Sequence, residues 1–286
     1  MPPSPPPPPP IWNPIRLVQT LAYYQVVPFL GNLDWLFPPP PIPAPELGPN
    51  AMDSTTTSLA SSSTSMAGDP AAAADSVRVI FDFRRSSPAL QQIWGTVDDV
   101  VMGGVSESRI QWQDQRGIFG GYVSTGNGGG FASVRTRNLT PPLDLSGYDG
   151  IELRVRGDGQ RYKFLLRSSS GWDSLAYAAG FDTEAVLARD SNGNILTPDP
   201  STQAEAWQTV RLPFAALRPV FRARTVADAP PFDSAQVTSL QLMLSKFEYD
   251  GALNPRFQAG PFRLEVESIA VYRGERGSIA PSFAVQ

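Results

Sequence analysis

The chain of 286 residues contains neither cysteine nor histidine, and these two absences exclude many common catalytic designs. Without cysteine there are no disulfides, thiolate nucleophiles or zinc-thiolate sites; without histidine the commonest general base and transition-metal ligand are missing. Serine triads, cysteine proteases and histidine-ligated zinc hydrolases are therefore excluded. Carboxylate, lysine or tyrosine chemistry remains, but no cofactor motif accompanies it. We expect a protein that is not an enzyme and that holds no cofactor and no metal.

Lysine is also scarce, occurring only at Lys163 and Lys246, so arginine supplies nearly all the positive charge. The formal net charge of -4 and the pI near 5.0 argue against a general nucleic-acid binder, whose affinity rests on neutralised phosphates. We expect no nucleic-acid partner.

Six arginines on predicted strands would line a docking surface if they share a face; alternatively they are the solvated face of half-buried strands. They are Arg135, Arg137, Arg154, Arg156, Arg161 and Arg167.

Long hydrophobic runs are missing from the amino-terminal part of the chain. Residues 1–10 are nearly all proline, which predicts an extended, exposed polyproline tip. Residues 38–76 are rich in proline, serine, threonine and alanine and contain too little apolar surface to build a core. This composition predicts a disordered linker. The start of the chain lacks the positive region and cleavage site of a secretory signal, so we expect that the protein is not secreted.

Residues 11–37 are predicted to form an amphipathic, aromatic helical segment. Apolar residues recur there at steps of three and four, and Pro28 would kink a helix about midway. Polar residues make the segment unfit to span a bilayer, but its aromatic residues suit a headgroup boundary. The pattern therefore indicates peripheral membrane contact; the alternative is a hairpin that packs on the globular domain or on a partner. The aromatic residues are Trp12, Tyr23, Tyr24, Trp35 and Phe37.

Residues 77–273 are predicted to form one all-β domain, with a flexible tail at 274–286. Apolar and polar residues alternate repeatedly, as at 151–156, 240–244 and 262–266, which is typical of strands with one face in a core. After Val266 the apolar phase slips by one residue, which predicts a β-bulge near 267–268. Long helical periodicity is missing. Short strands separated by glycine and aspartate turns indicate a β-sandwich.

The segment from Trp94 to Arg109, WGTVDDVVMGGVSESR, combines an aromatic residue, two adjacent carboxylates, a glycine pair and small polar residues within sixteen positions. The adjacent carboxylates of Asp98 and Asp99 would point to opposite sides of an extended chain, so they would not act as an acid-base pair. These carboxylates are either solvated or cap a turn. Binding of calcium is a further option, but the spacing of an EF-hand calcium loop is not present. We predict a partner-binding loop shaped by its glycine pair, together with a loop tryptophan suited to stacking on a sugar. The candidate residues are Asp98, Asp99, Gly103, Gly104, Ser106 and Trp172.

Four stretches resemble the complex I intermediate-associated protein 30 family, over roughly residues 77 to 273. They are WGTVDDVVMGGVSESR, GIFGGYVSTGNGGGFASVRTR, DLSGYDGIELRVRGDGQRYKF and WQTVRLPFAAL. The resemblance implies a galactose-binding-like jelly roll in a non-catalytic, chaperone-like assembly factor for a membrane-bound respiratory or photosynthetic complex, such as NADH:ubiquinone oxidoreductase. Its expected partners are protein subunits or assembly intermediates. The alternative function is a carbohydrate-binding module of galactose-binding-like fold.

The amino-terminal pattern ending in VVPFLGNLDWLF suggests a cyanobacterial or plastid-type member of this family. Such a member is expected on the cytoplasmic or stromal side, peripheral on a thylakoid or plasma membrane. A mitochondrial location is the alternative.

Overall fold

A computed structural model describes residues 12–24, 26–27, 31–32, 76–85, 87–185 and 207–274. Two antiparallel β-sheets pack face to face around the main hydrophobic core, which confirms the predicted all-β sandwich. The predicted polyproline tip, nearly all of the predicted linker and nearly all of the predicted tail lie outside the described residues. The domain boundaries at 77 and 273 fall within one residue of the first and last strands of the sandwich.

The first sheet contains seven strands: β4 (Trp94–Thr96), β7 (Phe131–Thr136), β9 (Arg161–Arg167), β10 (Ala176–Asp182), β12 (Arg218–Phe221), β13 (Arg224–Thr225) and β14 (Ser239–Ser245). Across the sheet they lie in the order β13-β12-β10-β9-β14-β7-β4, and every neighbouring pair is antiparallel.

The second sheet is built around the longest strand, β15 (Gly260–Arg273). Its other strands are β3 (Ser76–Asp82), β5 (Glu107–Gln113), β6 (Arg116–Val123), β8 (Gly150–Arg156) and β11 (Gln208–Pro213). One edge of β15 pairs with β8, while the other edge pairs first with β6 and then with β3. The pairing with β8 shifts register between Val266 and Ser268, which confirms the bulge that the phase slip predicts.

The core lies between the two sheets and is formed by the predicted alternating residues. Those of β8, β14 and β15 are almost completely buried, for example Leu153, Leu242 and Leu264 at 0% exposure. The glycine-rich run before β7 forms a short 3-10 turn at Gly126–Gly128, in which Gly128 has a φ of 73°. This connection leads into a strand rather than a helix, as the sequence predicts.

Two α-helices flank the sandwich. Helix α1 (Pro14–Tyr23) begins at Asn13, whose side chain accepts hydrogen bonds from the backbone of Ile15 and Arg16. Helix α2 (Pro88–Ile93) begins at Ser87, whose hydroxyl accepts from Leu90 N. Both helices place proline at the first position, where the missing N–H costs nothing.

The predicted helical segment at 11–37 is too long. Helix α1 ends at Tyr23, and residues Val26–Val27 (β1) pair with Gly31–Asn32 (β2) as a short antiparallel hairpin. Pro28 follows β1 in the sequence and disfavours helical backbone in the residue before it, while Gly31 is a poor helix former. No helix in the described part of the chain is long and apolar enough to cross a membrane.

Candidate functional site

The segment from Trp94 to Arg109 crosses from the first sheet to the second. It leaves β4, makes a 3-10 turn at Asp99–Met102, passes through Gly103 with a φ of 89°, and enters β5 at Glu107. A positive φ is strained for residues with a Cβ atom, so glycine fits the end of the turn. We call residues 97–106 the signature loop.

Asp99 holds the signature loop together from the inside. Its carboxylate accepts hydrogen bonds from Ser106 N (2.8 Å), Ser106 Oγ (2.6 Å), Gly130 N (2.7 Å) and Phe131 N (3.2 Å). A Cβ atom on Gly104 or on Gly129 would lie within 2.4 Å of this side chain. The glycines therefore leave room for a buried carboxylate that joins the signature loop to the glycine-rich turn.

Asp98 joins the same loop to helix α1. It accepts from Ser108 N (2.8 Å), Ser108 Oγ (2.5 Å) and Ser133 N (3.0 Å), and from Arg16 Nη2 at 3.3 Å. Arg16 also donates to the carbonyl oxygens of Ser106 (3.3 Å) and Ser108 (3.2 Å). Arg16 of α1 thus binds a buried carboxylate and also the backbone at Ser106, the last residue of the signature loop, and at Ser108, just after it.

The predicted presentation of Asp98, Asp99 and Ser106 to an external partner is wrong, because each side chain is only 1% exposed. The solvated alternative is excluded for the same reason. A carboxylate offers about four acceptor positions, and backbone N–H, hydroxyl and guanidinium donors occupy them here. Among the described residues no group of three or more carboxylates converges on a cation position. The partner of Asp98 is the chain's own helix.

Trp172 lies beside the end of α1 rather than on an open platform. Its ring is half-buried and 4.9 Å from the ring of Tyr24. The guanidinium carbon of Arg135 is 4.4 Å from the Trp172 ring and 4.6 Å from the Tyr24 ring, close enough for cation-π attraction. The Tyr24 hydroxyl donates to Arg135 O (2.7 Å) and Gly95 O (2.9 Å). Tyr24 and Trp172 therefore fix α1 to the first sheet.

Helix α1 docks through a mixed side that includes Leu21, and it leaves a second apolar stripe exposed. Thr20 and Tyr24 are buried, whereas Ile15 and Val18 are 66% and 62% exposed. Trp12 is 39% exposed and donates from Nε1 to Val100 O (3.4 Å), and Met102, on the turn that α1 contacts, is 74% exposed. We call Trp12, Ile15, Val18 and Met102 the apolar face. Sequence reasoning identified the helical periodicity of this segment but not which side would dock.

The docking of α1 is expected to depend on pH through Asp98. Burial raises the pKa of Asp98 to about 6, against the opposing effects of its hydrogen bonds and of Arg16. The folded value lies above the ordinary 3.8, so the folded protein takes up this proton first, and the group adds to the free energy of unfolding as pH falls. The same protonation removes the buried one of the two carboxylate charges that Arg16 contacts; the other is the exposed Glu107, at 3.6 Å. Between about pH 7 and pH 5, α1 should loosen without loss of sandwich stability from this group.

Hydrogen exchange of the α1 amides at the two pH values, corrected for intrinsic rates, measures this effect. The Asp98→Asn variant is the control, and its α1 protection should not change between them. Equal protection of α1 at both pH values in the unmodified protein would contradict the expectation.

Comparison with known proteins agrees with the resemblance seen in the sequence. The model of the family described as complex I intermediate-associated protein 30 matches residues 81–191 and 188–266, which is more than half of the chain. The chain belongs to this family. The matched region contains the signature loop and most of the sandwich, but not α1. No curated protein matches the chain.

Solved structures similar to this family member include carbohydrate-binding modules. The family 11 module of the cellulosomal cellulase Lic26A-Cel5E of Clostridium thermocellum is 15% identical, with 68% of this chain and 93% of that chain covered and a TM-score of 0.44. The same organism's family 11 module in complex with a β-1,3-1,4-mixed-linked tetrasaccharide is 13% identical, covering 70% and 98%, with a TM-score of 0.45. An agarase is 8% identical, covering 72% and 25%, with a TM-score of 0.43.

Proposed function

We propose that this protein is a non-catalytic, chaperone-like assembly factor that binds subunits or assembly intermediates of a membrane-bound respiratory or photosynthetic complex. Membership in the complex I intermediate-associated protein 30 family supports complex I, NADH:ubiquinone oxidoreductase, as the client. The observation that carries the proposal is the apolar face, which α1 and the signature loop leave in water. The binding surface is this face rather than the buried carboxylates of the signature loop.

An amphipathic helix on a globular protein normally turns its apolar stripe toward the core. Helix α1 does this only in part: Leu21 packs inward toward Val97, whereas Ile15 and Val18 stay in water. Contiguous exposed apolar groups mark sites of protein or membrane interaction. The docked side of α1 also fixes the orientation of the apolar face, so a partner meets a surface that is already ordered.

The charge of α1 favours a protein subunit over a lipid surface as the occupant of the apolar face. Arg16 is the only charged residue in the helix, and it is turned inward to Asp98. It therefore adds little to attraction toward anionic lipid headgroups, for which exposed basic residues are needed. We also propose peripheral contact of residues 11–37 with a thylakoid or plasma membrane, a cyanobacterial or plastid origin and a cytoplasmic or stromal location; a mitochondrial location is the alternative.

Affinity purification of the full chain from native membranes, followed by subunit identification, tests the proposal. The double variant Ile15→Asp with Val18→Asp should reduce recovery of the complex subunits about tenfold, because two charges would have to be desolvated in the interface. Gln19→Asp is the matched control: it places a carboxylate on the same helix at an exposed polar position and should retain the subunits.

Equal subunit recovery with the double variant and with Gln19→Asp would contradict the role of the apolar face. A glycan array on the same preparations addresses the carbohydrate-binding alternative. Specific glycan binding that is lost in Trp172→Ala, with no complex subunits recovered, would favour that alternative over an assembly factor.

A further inference from the structure

The outer face of the first sheet carries arginines where it meets α1. Arg135 on β7 is the pairing partner of Gln241 on β14, and Ser239, two residues from Gln241 and so on the same face, is the partner of Arg167 on β9. Arg167 Nη1 donates to Gln241 Oε1 across the strands (2.8 Å). Arg137 follows β7, and its guanidinium lies 4.2 Å from the ring of Tyr23.

Several polar atoms in this region are buried and unpaired. Within the described ranges, hydrogen-bond partners are missing for the Nε atoms of Arg135, Arg137 and Arg167 and for the hydroxyls of Ser239 and Ser174. Arg135 is 5% exposed and Ser239 is 0% exposed. Buried donors normally have partners, and the four of these atoms that belong to Arg135, Arg137, Arg167 and Ser239 call for a ligand that accepts hydrogen bonds.

The three guanidinium groups also lack a paired carboxylate. Among the residues that the structure describes, none of the three forms a salt bridge, and the nearby Asp173 is held by Arg222 through Nε at 2.9 Å. Burial, and then the charge of Arg135, lowers the pKa of Arg167 to about 9, as expected for like charges close together. The Asp173 charge acts on Arg135 and Arg167 only through space, and clustered charges of one sign without a paired carboxylate favour an anion.

We propose that Arg135, Arg137, Arg167 and Ser239 form a binding site for an oxyanion, a carboxylate or a phosphate group. Guanidinium groups match both chemistries because their planar N–H donors can engage two oxygens at once. The rings of Tyr23, Tyr24 and Trp172 lie against the faces of Arg135 and Arg137. Arg135 Nη1 donates to Trp172 O (3.1 Å), so the ligand would engage the other N–H groups of the cluster. The site stands independently of the assembly role, since an anion would bind whether or not a partner presents it.

Thermal unfolding and calorimetric titration of the full chain test the site, with inorganic phosphate and with acetate as probes. Sodium chloride at matched ionic strength is the reference, which removes general salt effects. A ligand that binds only the folded state should raise Tm by about 5 °C at a concentration of about 100 times its Kd. A rise with phosphate alone assigns a phosphate site, and a rise with acetate alone assigns a carboxylate site. No rise above chloride with either probe would overturn the proposal.

Two variants locate the effect. Arg167→Gln should weaken binding at least tenfold because it removes a charged donor, and Ser239→Ala should weaken it about threefold without removing any hydrogen bond of the unliganded protein. Arg154→Gln, on the second sheet, is the matched control and should bind as the unmodified chain does. Should Arg167→Gln fail to fold, Ser239→Ala decides. Unchanged affinity in every folded variant would overturn the assignment.

Discussion

Replacing Asp99 with alanine is expected to lower the free energy of unfolding by about 3–5 kcal/mol. The substitution removes the acceptor for Ser106 N, Ser106 Oγ, Gly130 N and Phe131 N. Each buried donor left without a partner costs roughly 1–3 kcal/mol, and relaxation of the loop recovers part of this. The signature loop and the glycine-rich turn would then separate, because the carboxylate is their shared link.

Urea unfolding measures the effect of this substitution, with two further variants as comparisons. Asp99→Asn keeps the shape but turns an amide N–H₂ toward donors, so it should be nearly as harmful as alanine. Asp228→Ala removes an exposed carboxylate and should change stability by less than about 0.5 kcal/mol. Stability of Asp99→Asn within about 1 kcal/mol of the unmodified protein would show that the carboxylate is not the link.

Replacing Glu265 with glutamine should also cost about 3–5 kcal/mol. Glu265 lies in the middle of β15 at 0% exposure and accepts from Arg116 Nη1 (2.9 Å), Arg263 Nη2 (2.7 Å) and Arg156 Nε (3.0 Å). Arg156 is itself 1% exposed, so the substitution leaves a buried guanidinium without its carboxylate. Breaking one side of a buried ion pair is far more costly than losing a surface pair.

The pH profile provides a second measurement for Glu265. Burial acts to raise its pKa, but hydrogen bonds from Arg116 and Arg263 outweigh burial and hold the pKa below the usual 4.5. A lowered folded pKa gives stability that is present above the unfolded value and lost as pH falls through the folded one. Glu265→Gln should therefore flatten this acid-dependent loss of stability.

Glu267→Gln is the control, since Glu267 is on the same strand but 29% exposed, and it should cost less than about 1 kcal/mol. Equal losses of unfolding free energy in the Glu265 and Glu267 variants would show that the buried cluster contributes no more to stability than an exposed ion pair does.

The fold was most predictable from the sequence where burial of one side of a strand makes apolar and polar residues alternate. Alternation identified the core strands, and a one-residue phase slip located the bulge beside Val266, because both follow from which side of a strand is buried. The glycine-rich turn was also recognisable, since a strand pattern follows it. These features depend on neighbours in the chain.

The candidate site was less predictable because its contacts join distant residues. Arg16 meets Asp98 across 82 positions, and no local pattern marks that pairing or the side on which α1 docks. Arg135 looked like the polar face of a strand, yet Tyr24 and Trp172 cover it. Residue type alone predicted solvation for these charges, whereas the long-range contacts of α1 and the 168–174 loop bury them.

The central position of β15 has a consequence for synthesis of the protein on the ribosome. Phe81 of β3 pairs with Ile269 of β15, so the first strand of the sandwich cannot form its pairing until the last strand has been synthesised. At about 5–20 residues per second, roughly 10–40 seconds pass between the appearance of these partners. During that time β3, β6 and β8 lack their common neighbour and expose unpaired backbone edges. The sandwich is therefore expected to close after translation of β15, and the nascent chain is most prone to aggregation just before that.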